Sequence, residues 1–171
     1  MKHFMKSAAF TALFAGAMPS LATAQDLRFD IVHTQACLQE ATEWAERQNC
    51  IGAASIQCIE ATAAGSSTIG MSECTYKEYQ WWDGELNAAY GRLRALEKSE
   101  DADAGGLPGY ISQAEALLNM QRAWIKFRDQ KCTYERAQWS GGTGGGPAEI
   151  SCLLDETARQ AMYLDIMTQT Y

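Results

Sequence analysis

The side chains of this 171-residue sequence that could do chemistry are its carboxylates, its six cysteines and a stripe of polar residues. The 21 Asp and Glu could supply the acid and nucleophile of a carboxylate-dependent glycan hydrolase, but so acidic a chain contains such pairs by chance and their spacing selects none. Signatures of other catalysis are missing. No GxSxG, HExxH, GxxxxGK[ST] or strand-borne GxGxxG occurs, and the histidines are only His3 and His33. The residues therefore predict a protein without catalytic residues, cofactor or metal.

Cys37, Cys50, Cys58, Cys74, Cys132 and Cys152 form an even set with no CxxC spacing, so a zinc site would need scattered ligands. Three disulfides are expected. Local order pairs Cys132 with Cys152 and Cys58 with Cys74 across loops, which leaves Cys37 with Cys50. Cys37 with Cys58 is the rival, because a continuous helix would hold Cys37 and Cys50 about 20 Å apart.

An export leader accounts for the oxidising environment these bridges need. Lys2, His3 and Lys6 precede the apolar stretch Ala8 to Met18, and Ala22-Thr23-Ala24 fits a cleavage site, so residues 1–24 read as a signal peptide and 25–171 as a single domain. The expected product is soluble and periplasmic or secreted, with no stable membrane insertion. Of 14 Lys and Arg, Lys2 and Lys6 leave with the leader, so 12 remain against 21 acids, a net charge of −9. Such a field disfavours nucleic acid and favours encounter with a cationic partner.

The elements that position these groups read as helices throughout, with no alternation typical of strands. A first helix is expected near 30–48 with Cys37, Ala41 and Trp44 on one side, and a second from Cys50 to about Ala63. Met71, Cys74, Glu78, Trp82, Leu86, Ala89, Leu93 and Leu96 make a mostly apolar stripe on a long third. Residues 97–106 then read as an acidic loop, and Pro108 as the first turn of a fourth helix running through Ile111, Ala114, Leu118, Gln121, Ile125, Arg128 and Cys132 to about Trp139. The five glycines in 140–146 break that helix, and Pro147 opens a fifth carrying Ile150, Leu153, Thr157, Ala161, Leu164 and Met167. The fold class is all-α: a small, disulfide-stapled antiparallel bundle of about four to five helices.

Asp83, Asn87 and Tyr90 align on the third helix, as do Gln121, Arg128 and Cys132 on the fourth. Expected partners are Asp83 with Arg122 or Arg128, Asp129 with Arg159, and Asn87 with a neighbouring helix, in a network that fixes register. Trp82 and Trp124 fit a core. Trp81 is less constrained, and Trp139 beside the glycine run could be an exposed anchor for a partner.

Three blocks resemble the LprI-type lysozyme-inhibitor domain family: Gly70 to Cys74 leading into Trp82 to Leu93, then Gln121 to Cys132, then the glycine loop with Cys152 to Arg159. The resemblance spans about 58–167. Its motif residues are Trp82, Asp83, Leu86, Asn87, Tyr90, Gln121, Arg122, Trp124, Phe127, Arg128, Asp129, Thr157 and Arg159, with structural roles expected. It implies a small helical domain that inhibits lysozyme in the cell envelope, with a basic lysozyme or another envelope protein as partner. Contacts are expected from the two loops, at Glu100, Asp101, Asp103, Trp139 and Thr143. The alternative is an interaction domain of an envelope assembly.

Overall fold

A computed structural model of the protein describes residues 27–104 and 107–169, so the expected leader lies outside the described residues. Six helices and no strand are found among them: α1 (Val32–Glu40), α2 (Trp44–Asn49), α3 (Ala53–Ala61), α4 (Thr68–Ala104), α5 (Gln113–Ala137) and α6 (Gly145–Thr168). The last three form the bundle. α5 and α6 turn back on each other and are stapled by Cys132–Cys152. Asp101 near the end of α4 reaches Gln113 at the start of α5, so these two are also antiparallel. α4 packs most extensively on α6, and α4 and α5 touch sparingly, leaving a groove between them.

The core joins Trp82, Leu86, Ala89 and Leu93 of α4, Leu117 of α5, and Leu154, Ala158, Ala161, Met162 and Leu164 of α6. Full burial of a Leu or Met side chain contributes roughly 1.5–3 kcal/mol. Two expected positions shift by one residue around their helices: Glu97 rather than Leu96 faces inward on α4, and Leu117 rather than Leu118 is buried on α5, while Ile111 lies exposed before α5 begins.

All three expected disulfides are present. Cys37 and Cys50 lie 5.5 Å apart at Cα because the expected first helix is in fact two. Ala41 and Glu43 leave the helical conformation, and Glu43 and Glu46 form a capping box that starts α2. Trp44, placed in the stripe by a continuous helix, is consequently exposed.

The acidic segment 97–104 is helical, extending α4 to 37 residues, or about 55 Å. Pro108 does not open α5. It sits in a turn with Gly109 at φ +77°, and Ser112 caps the helix by accepting from Glu115 N–H at 3.1 Å. α6 begins two residues before Pro147, so the chain break is confined to 138–144, where Ser140 and Gly141 take positive φ.

The short helices are held to α4 by Glu78, fully buried at the inner face. Its Oε1 accepts from Thr34 Oγ1 at 2.8 Å, Gly52 N–H at 2.9 Å and Trp82 Nε1 at 3.3 Å, and its Oε2 from Ser55 N–H at 2.7 Å. Gly52, at φ +93°, has no side chain with which to cap α3, so this carboxylate from a distant helix does it. At the opposite end of α3, Gly70 of α4 lies against the chain that follows the helix. A Cβ there would lie 1.9 Å from the Ala64 carbonyl oxygen.

Glu78→Ala would orphan three helix-directed donors and the Trp82 indole, and is expected to cost about 3–5 kcal/mol in urea denaturation of the oxidised protein. A loss below about 1 kcal/mol would contradict this role.

Candidate functional site

Eight of the thirteen family-motif residues line the groove between α4 and α5, a cleft of about 280 Å3; Trp82, Phe127, Asp129, Thr157 and Arg159 lie outside it. Asp83, Asn87 and Tyr90 face it from α4, and Gln121, Arg122, Trp124 and Arg128 from α5. The i, i+4 and i+7 spacing on α4 puts its three side chains on one wall.

The partners differ from those expected. Asn87 Nδ2 donates to Asp83 Oδ2 at 3.1 Å and to the Asp83 carbonyl at 2.8 Å, within its own helix. Arg128 pairs with neighbouring Asp129, through Nε at 3.0 Å and Nη2 at 2.8 Å, and donates from Nη1 to buried Thr157 at 3.3 Å. Arg159 pairs with Asp155 on its own helix at 2.8 Å. Local partners prevail because residues adjacent or one turn apart in a helix meet with little further chain ordering. Interhelical links from the groove are Arg128 to Thr157 and Gln160 Nε2 to Gln121 Oε1 at 3.0 Å, while Arg92–Asp165, Lys131–Glu156 and Arg136–Glu149 join helices elsewhere. Arg128 also lies 5.1 Å from the centre of the Trp124 ring, which is half-buried rather than core. Phe127 is exposed on α5. Tyr79 adjoins this charged end, and burial pushes its hydroxyl pKa up while Arg128 opposes the rise.

The expected contact residues fall at two opposite ends. Glu100 and Asp103 are exposed on the last turns of α4. Trp139 and Thr143 are exposed beyond α5, at the far end of a helix about 37 Å long. The Trp139 ring also lies where a Cβ on Gly144 would be, 2.2 Å away, so this tryptophan packs on its own turn.

Asp101 sits among the acidic residues but faces inward. Its Oδ1 accepts from Tyr110 Oη at 2.6 Å and Gln113 N–H at 2.7 Å, and its Oδ2 from Ser112 Oγ at 2.6 Å and Ala114 N–H at 3.1 Å. The Ser112 and Tyr110 hydroxyls, then the two amides, hold its pKa down to about 2. One turn earlier Glu97 is in the opposite condition. Burial, then the nearby Asp101 charge, pushes its pKa up, and its buried Oε2 has no donor. The described residues contain no group of three or more His, Cys, Asp or Glu that could hold a metal, and none of their helices is long and apolar enough to cross a membrane.

The family described as lysozyme inhibitor LprI matches residues 58–164, more than half of the chain. The chain belongs to the LprI family. It is also 28% identical over 137 residues to an uncharacterized 17.7 kDa protein of Rhodobacter capsulatus, covering 77% of this chain and 82% of that one. A second uncharacterized protein, from Rhizobium meliloti, is 29% identical over 99 residues, covering 57% and 71%. No solved structure matches. The LprI match takes in the groove and Glu78 but begins after Thr34, Cys37, Cys50, Gly52 and Ser55. The α1–α2 segment is thus docked onto the LprI bundle through a carboxylate inside the match.

By its spacing Glu78 belongs to a mostly apolar stripe, and by its composition the segment from Glu97 resembles a loop, yet both carboxylates lie on the inward face of α4. The signal for both was the spacing 78, 82, 86, 89, 93, 97, 101, which places carboxylates at both ends of the inward face of α4.

Asp101 has its ordinary pKa, near 3.9, in the unfolded chain and about 2 in the folded one, so its stabilisation is present above about pH 4 and lost as pH falls toward 2. The Gln113 and Ala114 amide resonances are expected to titrate with a midpoint near 2. A midpoint near 4 would show that the cap does not hold the charge.

Proposed function

We propose that this protein is an exported lysozyme inhibitor that acts by binding, with the acidic end of α4 as its contact. Membership of the LprI family carries the reading. Charge agrees with it: the chain has a net charge of −7, and a signal peptide ending at Ala24 would leave −9. An acidic surface speeds encounter with a strongly basic enzyme in a salt-dependent way.

Glu100 and Asp103 supply the contact because they are exposed on one helical end. Asp101 supports them from inside, since its two oxygens are already occupied by four donors. Trp139 and Thr143 stand at the other end and form no part of the same small contact. A hydrolytic role finds little support in these carboxylates, because Glu78 is sealed from solvent and Asp101 is saturated.

Purified oxidised protein lacking residues 1–24 is expected to inhibit a basic lysozyme on cell-wall substrate, more strongly at low salt than near physiological salt. Reversing both charges, Glu100→Lys with Asp103→Lys, should raise the inhibition constant about tenfold, and Trp139→Ala should leave it unchanged. Absence of inhibition at either salt across several lysozyme types would sink the reading in favour of an envelope interaction domain.

A further inference from the structure

Beside this acidic end, where α4, α5 and α6 meet, lies an open pocket of about 320 Å3. Leu93 of α4, Leu117 and Met120 of α5, and Tyr163 and Met167 of α6 make its walls largely apolar. Glu97 is the one charged side chain on them. No Lys, Arg or His lines the pocket among the described residues, and Arg94, one turn away on α4, has an unpartnered Nε of its own, so the two groups leave each other unsatisfied.

A carboxylate in such surroundings is unusual. Buried acceptors in folded proteins nearly always have a donor, and buried charges nearly always have a counter-charge. Glu97 is half-buried, and its shielded Oε2 has no protein donor among the described residues. Its charge can be balanced from the pocket side by a cation, and the walls dictate what kind. A hydrated metal ion would meet one carboxylate, with only the Gln113 amide and the Tyr163 hydroxyl to add side-chain oxygens among Leu, Ala and Met walls. An ammonium or guanidinium carried on an aliphatic stem matches both parts, with the stem along Leu117 and Met120 and the head at Glu97.

We propose that this pocket receives a lysine or arginine side chain of the bound lysozyme, with Glu97 as its counter-ion. The proposal rests on the lysozyme reading above and gives it a specific anchor. Glu100 and Asp103 on the following turns draw the basic surface in, and Glu97 holds one side chain of it in an apolar setting where the pair is little screened.

The test uses n-butylguanidinium as a probe and N-butylurea as its uncharged isostere, each titrated into isotopically labelled oxidised protein. The cation should give saturable shifts at the Ala116 and Met120 amides and should compete with lysozyme. Glu97→Gln, which keeps shape and removes charge, should weaken the cation about tenfold, weaken lysozyme inhibition by a similar factor, and leave the melting temperature no lower. Equal binding of the urea, or equal binding of the cation to Glu97→Gln, overturns the proposal. Lysozyme inhibited equally by Glu97→Gln and the wild type overturns the pocket and spares the inhibitor reading. Probe binding at Glu97 in a protein that never binds lysozyme overturns that reading and the assignment of the cation to lysozyme together.

Discussion

The structure depends on carboxylates that one long helix places under the ends of others. A helix begins with amides that have no partner within it, and a short helix whose cap is glycine cannot satisfy them itself. Glu78 supplies the missing acceptor for α3 and ties in Thr34 of α1, which in turn accepts from Ala54 N–H at 3.0 Å. Asp101 does the same for α5, 23 residues further along α4. Between them runs the apolar face that buries α6. One helix thus carries the hydrophobic seam and, on either side of it, the carboxylates that fix where its neighbours start.

The disulfides reinforce the same plan. Cys58–Cys74 links α3 to α4 one turn before Glu78, and Cys132–Cys152 closes the α5–α6 hairpin. Cys37–Cys50 lies outside the family match and closes the two short helices on each other. The carboxylate network and the bridges act on the same elements, so the small N-terminal segment is positioned without a large core of its own.

Much of the fold was legible because its signals are local. Helical periodicity, an even cysteine count and a glycine run give the all-α class, a set of three bridges with the partner of Cys37 left between Cys50 and Cys58, and the α5–α6 break. The misplaced boundaries have a shared cause in contacts between distant residues. Residues 97–104 looked like a loop because acids and small residues resemble one, yet Asp101 gains four donors from the chain beyond and keeps the segment helical. The split at Ala41 follows from the capping box and the bridge to Cys50, neither of which changes hydrophobic periodicity. The motif residues of the α4–α5 groove were identifiable by type and spacing, but their partners were not, since Asp129 can reach Arg128 on its own helix or a base on another and only side-chain placement decides.

The candidate contact follows from that arrangement. Capping draws Asp101 inward, burial isolates Glu97, and Glu100 and Asp103 are left to face outward, so one helical end carries three different kinds of carboxylate. The most direct test is a map of amide perturbations in the oxidised protein on addition of a basic lysozyme. The account predicts changes concentrated in 93–104, 113–120 and 163–167, around the acidic end. Changes confined to the 83–90 and 122–128 walls of the α4–α5 groove, or to the glycine turn at 139–146, would contradict it.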